Sequence, residues 1–323
     1  MIARRSLLLA ALLATAIPAQ VHAQNFPARP VKLIVPYAAG GGTDAIARVV
    51  AQAMGEKLGQ TMVVENVATG GGNVATTQAA SSAPDGYTVL MANQGPMTVN
   101  PHMMKSLKVD TLQAFSPVTL IASAPLLVVV PESSPIKTFA DLIKAARDNP
   151  GKLTYGSAGN GSASHVATLL LNHVAKINTL HVPYRGAGPA ISDLLGGQTQ
   201  FMVTTIPSVS GLVETGKMRA LAVTSEKRTP LLKDIPSVAE SGFPEYRASA
   251  WYGFVVPAGT PEPVIDKLRT AATAALENEV VRARLASDGA LPIGNKPEEF
   301  RAFMGEEYAR WKEIIGSSNL QLD

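Results

Sequence analysis

The chain alternates short, β-branched apolar segments with segments whose apolar residues recur at helical spacing. From residue 31 this pattern predicts strand 31–35, a helix that starts near Thr43, strand 61–65, helix 74–83 and strand 87–92. Strands that are separated by helices form a parallel sheet covered by helices on both faces. The first part of the chain therefore predicts an α/β fold.

The same alternation starts again after residue 125. It predicts strands 126–130, 153–155, 179–182, 201–204, 219–223 and 251–256, and helices 138–148, 163–175, 187–195, 262–277, 280–287 and 297–316. A chain of 323 residues exceeds the size that one core normally serves, so the two arrays indicate two domains. We expect segments 115–124 and 248–254 to cross between the arrays, and the C-terminal helices to return to the first. The predicted division is domain 1 (residues 24–122 plus 254–323) and domain 2 (residues 123–253), with a mainly parallel sheet in each.

The N-terminal residues have the pattern of a secretory signal peptide. Arg4 and Arg5 precede an apolar stretch at 7–17, and Pro18 ends that stretch. A small-x-small cleavage pattern follows, ending at Ala23. The apolar stretch is shorter than the roughly 20 residues that a membrane span needs. We therefore expect an exported chain whose signal peptide, residues 1–23, is removed near Ala23.

Composition narrows the classes of function. The absence of cysteine excludes disulfides, thiolate metal sites and a cysteine nucleophile. The net charge of +3 falls to +1 without the two signal-peptide arginines, and the remaining bases are scattered among acids. A nucleic-acid partner is therefore not expected, because such proteins carry a clustered basic face.

Signatures of catalysis are weak or missing in the sequence. There is no G-x-S-x-G or H-E-x-x-H motif, and the histidines show no metal-ligand spacing. A loose dinucleotide pattern exists at Gly40, Gly42 and Ala45 with Glu65, but an export signal argues against a nicotinamide enzyme. We expect a non-enzyme with no cofactor, no metal and no catalytic residue.

A glycine-rich turn follows the first predicted strand. Its candidate ligand-binding residues are Tyr37, Ala38, Ala39, Gly40, Gly41, Gly42 and Thr43. Three successive glycines let the backbone reach positive φ and approach a ligand without a Cβ atom in the way. The helix that follows directs its free N–H groups and positive dipole end at the same place, where anions bind. The turn is thus interpreted as a carboxylate clamp, with Thr43 or Asp44 as the cap of the helix.

A second turn, rich in hydroxyl groups, occupies the equivalent position in the second array. Its candidate ligand-binding residues are Ser157, Asn160, Gly161, Ser162, Ala163, Ser164 and His165. The alternative interpretation is a surface loop in which Ser162 or Ser164 caps the helix and His165 packs locally. Two further candidates are Gln94, in a turn at 93–100, and Arg185, which could grip a carboxylate through two hydrogen bonds.

Several segments together resemble a known family. The opening FPARPVKLIVPYAAGGGTD (residues 26–44) is similar to the start of the mature Bug proteins, the TctC-like binding components of tripartite tricarboxylate transporters. The resemblance continues through residues 155–165, 182–186, 193–198, 218–224, 235–242 and 251–253. It implies a periplasmic, two-domain binding protein of the type 2, Venus-flytrap architecture, with the ligand at the two turns. Residues Gln94, Pro96 and Met97 depart from the family pattern and leave the role of turn 93–100 open.

The function that this resemblance implies is capture of a small organic acid and its delivery to the permease subunits of a membrane transporter. Two alternatives use the same cleft: a ligand-sensing component of a signalling system, and an enzyme that acts on a small carboxylate. We expect a monomer. The identity of the acid does not follow from the sequence.

Overall fold

The computed structural model describes residues 26–318, so the predicted signal peptide lies outside the described residues. The strands are β1 (Val31–Val35), β2 (Met62–Asn66), β3 (Thr88–Ala92), β4 (Phe115–Pro131), β5 (Thr154–Ser157), β6 (Leu180–Pro183), β7 (Phe201–Thr205), β8 (Met218–Val223), β9 (Ser249–Pro257) and β10 (Leu291–Pro292). The helices are α1 (Gly42–Leu58), α2 (Asn73–Ala80), α3 (Asn100–Met103), α4 (Phe139–Asp148), α5 (Ala163–Ala175), α6 (Ala187–Leu195), α7 (Ile206–Glu214), α8 (Glu262–Leu276), α9 (Glu279–Ser287) and α10 (Pro297–Ser318). Among these described residues, no helix is both long and apolar enough to cross a membrane.

The strands form one mixed sheet in the order β2-β1-β3-β9-β4-β7-β5-β6, with β8 and β10 also paired to β4. At each end three strands are parallel, β2-β1-β3 and β7-β5-β6. Strands β9 and β4 lie between these ends and pair antiparallel with their neighbours. Strand β4 has 17 residues; its part up to residue 125 pairs with β9, and its part from residue 126 pairs with β7 and β8. One strand therefore belongs to both halves of the molecule.

We call the part of the molecule around β2-β1-β3 the first half and the part around β7-β5-β6 the second half. In each half, apolar cores cover both faces of the sheet. In β1, Leu33 packs against α1 and α8, whereas the adjacent Ile34 faces the core on the side of α2. In β4, Val128 joins the core beneath α4 and α5, and Val129 joins the core beneath α6 and α7. Successive side chains on a strand point to opposite faces, so β-branched runs like these suit a sheet buried on both sides.

Helix α10 contributes to the cores of both halves. Phe300 and Met304 lie in a core of the first half, whereas Trp311 and Ile315 lie in a core of the second. The helix is thus a third connection between the halves, alongside β4 and β9.

The segment at 93–100 is not a turn, contrary to the sequence prediction. Residues Gly95–Val99 form a π-helix that continues into α3. Two prolines near glycine and asparagine resemble a loop in sequence. Pro96, however, lies in the first turn, where a missing N–H costs no hydrogen bond. Burial of Met97 in a core of the first half and of Val99 in a core of the second stabilises the helical form.

Candidate functional site

In the first turn, the helix start and the backbone angles of the three glycines differ from what the sequence indicated. Helix α1 begins at Gly42 and its N-cap is Gly41, so neither Thr43 nor Asp44 is the cap, contrary to the sequence interpretation. Only Gly40 has a left-handed backbone, with φ of +85°; Gly41 has an ordinary φ of −82°. Residues 38–41 are exposed, and Gly42 and Thr43 are half-buried. The start of α1 is therefore open to a small ligand.

Asp44 holds this turn in place. Its carboxylate, only 3% exposed, accepts hydrogen bonds from the Gly40 N–H (2.9 Å), Arg48 Nε (3.0 Å) and Asn66 Nδ2 (2.9 Å). Burial alone would raise the pKa of this carboxyl, but the hydrogen bonds from Arg48, Gly40 and Asn66 outweigh burial and lower it. Asn66 also donates to the Tyr37 carbonyl at 3.0 Å. Arg48 is thereby engaged with Asp44 and Asn66, and the turn presents backbone groups to a ligand.

The hydroxyl groups of the second turn bond mainly within the turn. Ser162 is the N-cap of α5 and accepts from the His165 N–H at 3.3 Å, as the alternative interpretation predicted. Ser164 Oγ accepts from the Ala158 N–H at 3.4 Å. Ser157 Oγ accepts from the Gly159 N–H at 3.1 Å. These bonds fix the turn in one conformation, while Asn160 and Ala163 remain half-buried at its surface.

Glycines bring the two halves into direct contact around the turns. A Cβ atom on Gly95 would overlap the carbonyl oxygen of Gly161 and would lie 3.3 Å from the Tyr37 hydroxyl. A Cβ atom on Gly71 would lie 2.6 Å from the carbonyl oxygen of Asn160. Backbone therefore meets backbone across the cleft, an approach that glycine permits.

Asn100 joins the turns of the first half to this contact. Its Nδ2 donates to the Gly71 carbonyl at 2.9 Å and to Asn73 Oδ1 at 2.8 Å. Its Oδ1 lies against the Cα of Gly161 in the second half.

Gln94 and Arg185 are the two remaining residues that the sequence analysis singled out. Gln94 is buried next to Gly95. Arg185 is exposed and follows Tyr184, whose ring lies beside Gly156 and whose hydroxyl donates to Asp193 at 2.7 Å. Asp193 therefore makes a structural hydrogen bond in the second half.

Sequence reasoning missed a third turn of the second half, between β7 and α7. Thr205 Oγ1 lies 2.7 Å from Ser208 Oγ and 3.7 Å from the position of a Cβ atom on Gly42. It thus lies next to the start of α1, in the other half of the molecule. The signal was present in the sequence: Thr205, Pro207 and Ser208 at a strand end are typical of a helix start.

No group of three or more histidine, aspartate or glutamate side chains within residues 26–318 could hold a metal ion. The groups that the two turns present to a ligand are backbone N–H groups, hydroxyl groups and amides.

Comparison with known proteins identifies the family. The profile of the tripartite tricarboxylate transporter family receptor, TctC, matches residues 46–320. The periplasmic binding protein BugD is 34% identical in sequence and superimposes with a TM-score of 0.85 over 92% of this chain and 99% of its own. A Rhodopseudomonas palustris protein solved with adipate is 34% identical, with a TM-score of 0.85 over 91% of this chain and 99% of its own.

A third solved structure, MatC from Rhodopseudomonas palustris with bound malate, is 33% identical, with a TM-score of 0.84 over 90% of this chain and 100% of its own. These matches confirm the predicted resemblance and the two-domain binding-protein architecture. The chain belongs to the tripartite tricarboxylate transporter receptor family, TctC, whose members are periplasmic solute-binding proteins.

Proposed function

We propose that this protein captures a small dicarboxylate between its first turn (residues 36–44) and its second turn (residues 156–165). The observation that carries the proposal is the exposed start of α1, which lies across the cleft from Thr205. The first N–H groups of a helix have no carbonyl partner within the helix, and the dipole makes that end positive. A carboxylate satisfies both needs.

At the first turn, backbone N–H groups and the helix dipole stabilise the negative charge of the bound carboxylate, and no side-chain cation is dedicated to it. Arg48 is already paired with Asp44 and Asn66. A site built from backbone N–H groups accepts many carboxylates, since it reads the anionic group and little else. Adipate and malate, the acids bound in the two relatives, differ in length and substitution but share two carboxylates. The second carboxylate is assigned to the second turn and to Arg185.

The two halves act as lobes that close on the ligand. We assign the lobes as the sequence analysis predicts them, residues 24–122 plus 254–323 and residues 123–253, with β4, β9 and α10 as the connections. A ligand that contacts both turns stabilises the closed arrangement because it binds that arrangement more tightly than the open one. The closed protein, a periplasmic monomer, then delivers the acid to the permease subunits of a tripartite transporter.

A screen of small acids against the purified mature chain tests this function. Malate, adipate and an aromatic acid are compared with the diamide of malate and with a small amine, by thermal shift and calorimetry. We expect a dicarboxylate at about 100 times its Kd to stabilise the fold by about 2.7 kcal/mol, and the uncharged diamide to have little effect.

Nuclear magnetic resonance of the acid after incubation separates binding from catalysis. We expect the acid to be recovered unchanged and in a one-to-one complex. Stabilisation by the diamide or the amine alone, or conversion of the acid, would refute the proposal.

A further inference from the structure

Two histidines stack beneath the second turn. The rings of His165, on α5, and His181, on β6, are 4.0 Å apart between centroids and 8° from parallel. Tyr155, on β5, stacks on the other face of His181 at 4.9 Å. We call His165 and His181 the histidine pair. His165 is only 2% exposed and His181 is half-buried, so the pair lies at the base of the turn.

Each member of the histidine pair holds one end of the turn. His181 Nε2 lies 2.6 Å from Ser157 Oγ, at the end of β5. His165 Nδ1 accepts the Gly161 N–H at 3.1 Å, at the point where the turn meets the first half. Ser157 and Gly161 are thus fixed from below by two imidazoles.

The Gly161 bond determines the protonation of His165. A backbone N–H can only donate, so Nδ1 must carry no proton and the neutral ring carries its proton on Nε2. A second proton on His165 would remove the acceptor and release Gly161. It would also place a buried charge against the parallel ring of His181.

Few other groups face the histidine pair. Tyr155 is the titratable side chain that packs on it from β5, and burial raises the pKa of that phenol. Phe201, on β7, packs behind Tyr155. In the described part of the chain, no salt bridge reaches either imidazole. Nothing in this environment compensates a positive charge.

We propose that the histidine pair positions the second turn for ligand binding, and that the turn holds its ligand only while both rings are uncharged. This rests on the proposed function of the second turn. His181 is a positioning residue, because it acts through Ser157. Acidification then releases the ligand by loosening the turn, in addition to any protonation of the acid.

The direction of the pH dependence follows from the environment. Burial lowers the pKa of His181 to about 4, and burial together with His181 lowers the pKa of His165 well below its usual value. In a loosened turn both pKa values return to about 6.5. Above a pH of about 6.5 the neutral rings fully stabilise the ordered turn. This stabilisation decreases as the pH falls and is lost below the lowered pKa values of the two histidines.

Calorimetry with malate and adipate at pH 7.5 and 4.5 tests the proposal with two variants. At pH 7.5, His181→Leu should bind about tenfold more weakly, the value of one hydrogen bond of ordinary strength. His181→Gln should stay within about threefold of the wild type, because an amide can replace the hydrogen bond between Nε2 and Ser157 Oγ whichever group donates it. From pH 7.5 to 4.5 the wild type should lose more affinity than His181→Gln, a comparison that cancels the titration of the acid.

A titration of the ligand-free protein by nuclear magnetic resonance of its histidine nitrogens decides the matter independently of any ligand. His173→Gln, a change at an exposed position of the same helix, is the control variant and should bind as the wild type does. Both rings of the histidine pair should take up a second proton only well below pH 6.5, and until then Nδ1 of His165 should carry no proton.

Titration of either paired ring near 6.5, or a Gly161 amide signal that does not change as they protonate, would overturn the proposal. So would equal pH dependence of affinity in the wild type and in His181→Gln. Failure of both acids to bind the wild type at pH 7.5 would instead count against the proposed function alone.

Discussion

Replacement of Gly95 by alanine is expected to weaken dicarboxylate binding by about 30- to 150-fold, which corresponds to about 2–3 kcal/mol of steric cost. The added Cβ atom would overlap the carbonyl oxygen of Gly161, so the two halves could not approach as closely as they do. Gly95 does not have a positive φ, so alanine fits its own backbone and the fold should be retained. Calorimetry gives the affinity, and small-angle X-ray scattering with saturating ligand should show a less compact protein than the wild type.

Gly211→Ala is the matched control for this change. Gly211 lies in α7, and a Cβ atom placed on it meets nothing within 4 Å. Its replacement should leave the affinity unchanged and stabilise the helix by about 0.5–1 kcal/mol. Wild-type affinity and compaction in Gly95→Ala would show that closure does not bring these turns together.

Replacement of Asp44 by alanine should lower the free energy of unfolding by about 2–3 kcal/mol and weaken binding in the folded protein. The substitution leaves the Gly40 N–H and the amide of Asn66 without their acceptor, and the first turn loses its support. Urea denaturation at pH 7 measures the stability. Because the pKa of Asp44 is lowered in the fold, its contribution is present above pH of about 4 and is lost as the pH falls through that lowered value.

Asp141→Ala provides a comparison at the same position of another helix. Asp141 is exposed in the first turn of α4 and bonds reciprocally with Thr138. Its loss should cost only about 0.5–1 kcal/mol and leave ligand affinity unchanged. Equal effects of the two substitutions on affinity would contradict a special role for Asp44 in the ligand turn.

The secondary structure was largely predictable because its signals are local. Helix α5 begins at Ala163 and α6 begins at Ala187, as predicted from the spacing of their apolar residues. The two candidate turns were chosen from the sequence because a turn after a parallel strand leads to the edge of the sheet where ligands bind in open α/β folds. These inferences did not depend on knowing which segments of the chain pack against each other.

The rest of the fold and of the candidate site depends on contacts between residues that lie far apart in the sequence. The π-helix at Gly95–Val99 is stabilised by burial against both halves, which its own sequence does not reveal. Gly95 and Gly161 lie far apart along the chain, and their close approach exists only after both halves have folded. The sequence indicated Asp44 as a possible cap of α1. In the structure its carboxylate instead holds the first turn through hydrogen bonds from Gly40, Arg48 and Asn66.

A crystal structure of the protein with the tightest-binding dicarboxylate is the most direct test of the central claim, that a carboxylate binds between the two turns. We expect one carboxylate within hydrogen-bonding distance, about 2.7–3.2 Å, of backbone N–H groups at the start of α1, and the other at the second turn. The claim would be contradicted by a ligand bound away from both turns, for example in the charged groove between Glu245, Arg247 and Arg310.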